Sequence, residues 1–238
     1  MEDIELVFLK SGVLSFDDLT REISTEVGLV SDTLTMEERG LAALTALASK
    51  GYVDDFVSLT SVLLDHGMDE DKILELVLHV SMYAGVPVST MLVRALRNAN
   101  LLSDKKFDKI DGEQADLDRN VAGSQVKQLL HRERAENGYA SSSSLGLKLY
   151  SVATKLLYGD LWMRKGLSIR ERMICSIASF TALSLNSQQR KFFQSAGNVG
   201  LSTLEVVAVI GQTAPYSGFA PALAAIALVE EITPNSEN

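Results

Sequence analysis

The sequence predicts an all-α chain in which one helical unit is written twice. Three observations carry this: helical periodicity with almost no strand signal, a register repeat at a fixed offset, and matching helix punctuation in both copies. Thr35-Met36-Glu37-Glu38-Arg39 is answered by Ser168-Ile169-Arg170-Glu171-Arg172, an offset of 133 residues as from Glu38 to Glu171. The same offset joins Gly67 to Gly200, Tyr83 to Tyr216 and Gly85 to Gly218 without a gap. Each copy is expected to leave an apolar face that the other copy, or a neighbouring subunit, covers.

The elements follow in order. The first helix of each copy opens on a capping box, Thr35 with Glu38 and Ser168 with Glu171, in which hydroxyl and carboxylate each satisfy an orphaned backbone N–H. A second helix is expected over 53–65, closed by Gly67, and over 188–198, closed by Gly200, because glycine tolerates the left-handed cap. The third starts near Asp69 and near Ser202, which forms a capping box with Glu205, and ends at Gly85 and Gly218; Pro87 and Pro221 then open a fourth. Lead-in helices are expected over 16–27, capped by Ser15, and over 145–158. Between the copies lies a polar stretch, 104–144, with Asp111-Gly112, Asn137-Gly138 and four consecutive serines from Ser141, interrupted by one helix over 124–136 with Val126, Leu129 and Leu130 inward. The expected organisation is therefore a first repeat over 1–103, a linker over 104–144 and a second repeat over 145–238.

Composition removes several functions. Acidic residues exceed basic ones, for a net charge of −9, and no basic stripe offsets this, which argues against nucleic acid or an anionic membrane as partner. Cys175 is the one cysteine, so neither a CxxC redox pair nor a thiolate zinc cage can form, and three scattered histidines make no metal spacing. No cofactor is expected. Residues 206–229 carry no charge, yet Gly211, Pro215, Gly218 and Pro221 interrupt them, so the reading is two buried helices and not a membrane span. The acidic start, Met1-Glu2-Asp3, lacks the basic region of a signal peptide, and a cytoplasmic location is expected.

Tyr158-Gly159-Asp160-Leu161-Trp162, followed by Gly166-Leu167-Ser168-Ile169-Arg170-Glu171-Arg172, resembles the start of the carboxymuconolactone decarboxylase family, with its Gly-Asp-x-Trp lead-in and Leu-Ser-x-Arg-x-Arg motif. Its Tyr-x-Gly-x-Pro signature is matched by Tyr83-Ala84-Gly85-Val86-Pro87, whereas the second copy delays its proline to Pro221. The resemblance implies an all-α fold of two AhpD-like helical repeats and assembly as a ring of six units, hence a homotrimer of two-repeat chains. The family's chemistry does not transfer directly. The AhpD cysteines fall near Tyr52 and Asp55, and near Leu185 and Gln188, which excludes thiol peroxidase chemistry. The decarboxylase histidine falls at Leu59 and Phe192, and the family glutamate at Gly40 and Met173.

Other residues are candidates for the missing roles. His79 and Tyr83 are four residues apart on one helix face, and Gln212 with Tyr216 repeats the spacing. An imidazole can move a proton and a phenol can polarise a carbonyl, which makes His79, Tyr83 and Tyr216 the catalytic candidates in a shared cleft, against the alternative of hydrogen-bonded interface residues. Arg39, Arg172 and Gln212 are the substrate-binding candidates, since a guanidinium grips a carboxylate bidentately; pairing of either arginine with a neighbouring acid is the competing expectation. Glu38 and Glu171 are accounted for by their caps. Cys175 reads as a small buried apolar residue, His66 as a helix C-terminal residue, and His131 as part of a solvated face. Two functions remain open: a lyase acting on a small carboxylated lactone or similar acid, and a non-catalytic scaffold binding a small ligand or a partner.

Overall fold

The computed structural model describes residues 22–23, 25–27, 32–103, 119–135 and 145–233, and among these no strand occurs. The expected 16–27 helix lies mostly outside them, with helical backbone at Glu22, Ile23 and 25–27. Most of the polar linker, including its four serines, also lies outside.

Four helices make a first set: α1 (Met36–Lys50), α2 (Val53–Asp65), α3 (Glu70–Ala84) and α4 (Val86–Asn98). A second set comprises α7 (Ile169–Ala182), α8 (Asn186–Ala196), α9 (Thr203–Ser217) and α10 (Phe219–Ile232). Each helix of the second set begins 133 residues after its counterpart, as Ile169 does after Met36. The punctuation follows the chemistry of the caps. Thr35 and Ser168 both form complete capping boxes, Gly67 and Gly200 adopt φ of +92° and +81°, and Gly85 and Gly218 adopt φ of +95° and +96°. Pro215 does not break α9, which runs through it to Ser217; the apolar 206–229 run is divided at Gly218 alone.

Between the sets, α5 (Arg119–His131) starts five residues earlier than expected and ends in a 3₁₀ turn over Arg132–Arg134. Val126 and Leu130 are buried, but Leu129 is half exposed, so the inward face is rotated from the expected one. His131, expected in solvent, is fully buried. α6 (Leu147–Ala153) continues into a π-helical turn, Thr154–Tyr158, and a 3₁₀ turn, Leu161–Met163. Close approach explains the glycines here: a Cβ on Gly159 would lie 2.1 Å from the Arg119 carbonyl oxygen, and one on Gly123 2.4 Å from that of Thr154.

The centre of the molecule is α1 against α7, the most extensive helix contact among the described residues, and both α3 and α9 pack on each of them. Residues 40–49 of α1 and 172–182 of α7 are buried without interruption, so over these stretches neither helix has a solvent face. Small residues allow the approach: Ala42, Ala46, Ser49, Ser176, Ala178 and Ser179 line these helices, and Ser49 Oγ donates to Ser179 Oγ at 2.8 Å.

Two apolar cores result, and each borrows from the other set. The second-set core takes in Leu34, Ala42 and Tyr83, while the first-set core takes in Leu167, Cys175 and Tyr216. These are counterparts under the 133-residue offset, so the exchange is reciprocal. Ion pairs follow the same plan. Lys72 bridges Glu37 and Glu171 at 2.7 and 2.5 Å, and Arg170 bridges Glu38 and Glu205 at 2.7 and 2.6 Å. The offset relates Glu37 to Arg170 and Lys72 to Glu205, so the two bridges are equivalent in position with signs partly inverted. No helix among the described residues is long and apolar enough to cross a membrane.

Candidate functional site

On α3, Glu75, His79 and Tyr83 recur every four residues and share one face; on α7, Arg172 and Ser176 do the same. The two faces meet. His79 Nε2 lies 2.9 Å from Ser176 Oγ, and the Tyr83 hydroxyl lies 3.0 Å from the same oxygen. Arg172 is fully buried and donates through Nη2 to Glu75 Oε2 and to the Arg164 carbonyl, both at 2.9 Å. Arg164 holds the other carboxylate oxygen through Nε at 2.7 Å, so Glu75 sits between two guanidiniums. Gly166 makes room for this, since a Cβ there would lie 2.2 Å from Glu75 Cγ.

Trp162 covers the cluster, its ring 5.5 Å from that of His79, and Phe180 packs edge-on to Tyr83 at 4.7 Å. Trp162 is close enough to Tyr83 to influence its acidity, yet its Nε1 has no acceptor in hydrogen-bonding geometry. His79 Nδ1 and Arg172 Nε and Nη1 are likewise buried without a partner.

Electrostatics fix the protonation states. Burial, helped by the Arg172 charge, holds the His79 pKa well below its usual value, so the ring is neutral near pH 7. Burial also pushes the Tyr83 phenol upward. A neutral imidazole, a hydroxyl and a phenol in a row can pass a proton in either direction, depending on the tautomer of His79.

Arg39, Gln212 and Tyr216 form a second group, from α1 and α9. Arg39 Nε donates to Gln212 Oε1 at 3.3 Å. The Tyr216 pKa is pushed up to about 12 by burial, against the opposing effects of a Gln212 hydrogen bond and the Arg39 charge. The offset relates this group to Arg172, His79 and Tyr83, but the equivalents of Glu75 and Ser176 are Ala208 and Ala43. The six candidates thus lie as two three-residue groups, each joining the opening helix of one set to the third helix of the other.

Glu75, Ser176 and Arg164 take part without having been singled out from sequence, and Trp162 is named there only within the Gly-Asp-x-Trp motif. The signal for Glu75 and Ser176 was present: each stands four residues before or after a residue that was chosen. Of the remaining candidates, Cys175 is fully buried, with its thiol pushed up to about 12 by burial, and His66 caps α2 through Nδ1 to the Val62 carbonyl at 2.8 Å.

The positions of the family's acid–base pair are filled. Leu59 lies in the first-set core, and Phe192 packs against Phe180 at 4.9 Å and His131 at 5.1 Å. At Gly40 a Cβ would already meet Leu63 Cδ2 at 2.8 Å, so a side chain there would have to displace Leu63 and Met68. Met173 is fully buried.

Residues 148–231 match the carboxymuconolactone decarboxylase family. The segment matching this decarboxylase family contains Trp162, Arg172, Ser176, Gln212 and Tyr216, whereas Arg39, Glu75, His79 and Tyr83 precede it. No curated protein matches the chain.

Proposed function

We propose that the chain is a doubled relative of the carboxymuconolactone decarboxylases, acting as a lyase on a small carboxylated lactone or similar acid where the two helical sets meet. The observation that carries this is the His79–Ser176–Tyr83 hydrogen-bonded row beside Arg172. Loss of carbon dioxide breaks a carbon–carbon bond and leaves its electron pair on the lactone as an enolate. That carbon then takes up one proton, which the row can deliver. The phenol's neutral state suits it to donate a hydrogen bond to the enolate oxygen. A guanidinium held on the departing carboxylate would favour the ground state, so its productive partner is a second anionic group or the enolate. The constant offset of the helix starts supports the doubling, and the match over residues 148–231 supports the kinship of the second set. The exposed Val86 and Met91 on α4 and Phe219 and Leu223 on α10 suit the trimer expected of such a chain.

The test is direct. Purified protein is given carboxymuconolactone beside an active family enzyme, and substrate loss is followed. Turnover that H79Q removes without changing oligomer size supports the lyase reading; an inert wild-type protein counts against it.

One observation favours a second reading, a non-catalytic scaffold that binds a small ligand or partner. His79, Arg172 and Ser176 have no exposed surface, and Leu59 and Phe192 occupy the usual histidine positions.

A further inference from the structure

We infer that the Arg39–Gln212–Tyr216 group is a binding site for a small external carboxylate, and that Glu75 is a built-in carboxylate occupying the equivalent position at Arg172. This deepens the reading of the junction as a carboxylate site and rests on it for the relation between the two groups.

The argument is the asymmetry of two otherwise equivalent arginines. Arg172 is fully buried and already holds the Glu75 carboxylate. Its counterpart Arg39 has Ala208 where Glu75 would be. Among the described residues the Arg39 guanidinium makes one hydrogen bond, to the neutral amide oxygen of Gln212, and no ion pair. The neighbouring acids are committed elsewhere: Glu37 and Glu171 to Lys72, Glu38 and Glu205 to Arg170. A part-buried guanidinium without a counter-ion leaves its terminal nitrogens to water or an anion, and their fork is geometrically matched to a carboxylate. Gln212 and Tyr216, one helical turn apart on α9 and bonded to each other, stand on the same side.

Sodium benzoate is the probe, with benzamide as the uncharged control, both titrated calorimetrically into the full chain. One benzoate per chain is expected, with benzamide bound at least tenfold more weakly. R39Q should weaken benzoate at least tenfold, and A208E, which supplies the missing carboxylate internally, should abolish binding. If A208E does not fold, the half-exposed R39Q decides. Absence of benzoate binding, equal binding of benzamide, or wild-type affinity in R39Q overturns the inference. Because the readout is binding alone, a protein inert toward carboxymuconolactone that still binds benzoate through Arg39 retires the lyase reading and leaves this one standing.

Discussion

Ser176 Oγ lies 2.9 Å from His79 Nε2, a hydrogen bond between α7 of one helical set and α3 of the other. The same oxygen meets Tyr83, so removing it strips two buried polar groups of their partner. Alanine occupies the counterpart position, Ala43 on α1, and is a strong helix former. S176A is therefore expected to fold but to lose ~1–3 kcal/mol. Urea unfolding with an unchanged m-value checks this. If the protein is an active lyase, S176A should also lower kcat more than it alters KM.

Glycine substitutions separate two kinds of close approach. At Gly166 the obstacle is the Glu75 side chain, which can shift at the expense of its guanidinium partners, and G166A should cost about 1–3 kcal/mol. At Gly159 the obstacles are the Arg119 and Lys155 carbonyl oxygens, 2.1 and 2.6 Å from a new Cβ. Backbone cannot yield so easily, so G159A should be the more damaging of the two. Thermal denaturation of both variants gives the order.

Acid sensitivity should begin with His79, which burial keeps neutral in the same way, together with His131. The His131 ring bonds to Ser195 through Nδ1 at 2.8 Å, and burial, with the charges of Lys191, Arg134 and Lys127, lowers its pKa to about 3. The unfolded ring takes up a proton near 6.5 and the folded one does not, so stability is full above 6.5 and falls as pH drops toward 3. The slope expected from this one group is ~1 kcal/mol per pH unit. H131Q should flatten the curve between pH 6.5 and 4.5, measured as denaturant midpoint against pH.

Glu205 sets a lower window. The hydrogen bond from Arg170 is the main cause that draws its pKa down to about 2 from 4.5. Its contribution is present above 4.5 and lost as pH falls through 2, so E205Q should alter stability at pH 6 and leave it unchanged near pH 2. In the equivalent bridge of the other set, a double-mutant cycle on Lys72 and Glu171 should give a coupling of about 0.5–1 kcal/mol at low salt, reduced at high salt.

Local chemistry made much of the fold legible. Thr35, Ser168 and Ser202 announce their helices because a capping hydroxyl and a carboxylate three residues on act within a few residues of chain. α9 runs through Pro215 to the expected end at Gly218, because tertiary packing offsets the cost of a proline inside a helix. His131 misled because burial was judged from its charged neighbours: Arg132 and Glu133 are exposed in the 3₁₀ segment, while Arg134 reaches the same Ser195 hydroxyl as the buried ring. At the candidate site, helical spacing revealed the His79–Tyr83 and Gln212–Tyr216 pairs. Which helix each pair would face depends on contacts across 93 to 173 residues of sequence, and no local pattern encodes those.

The central claim is that α1 and α7 cross in contact within one chain, so that each set completes the site of the other. Ser49 and Ser179, whose hydroxyl oxygens are 2.8 Å apart, test it most directly. In a C175A background, S49C/S179C should form an intrachain disulfide on folding in air, seen as faster migration on a non-reducing gel and loss of two thiols by mass. Two free thiols in a folded protein, or a disulfide found only between chains, would contradict it.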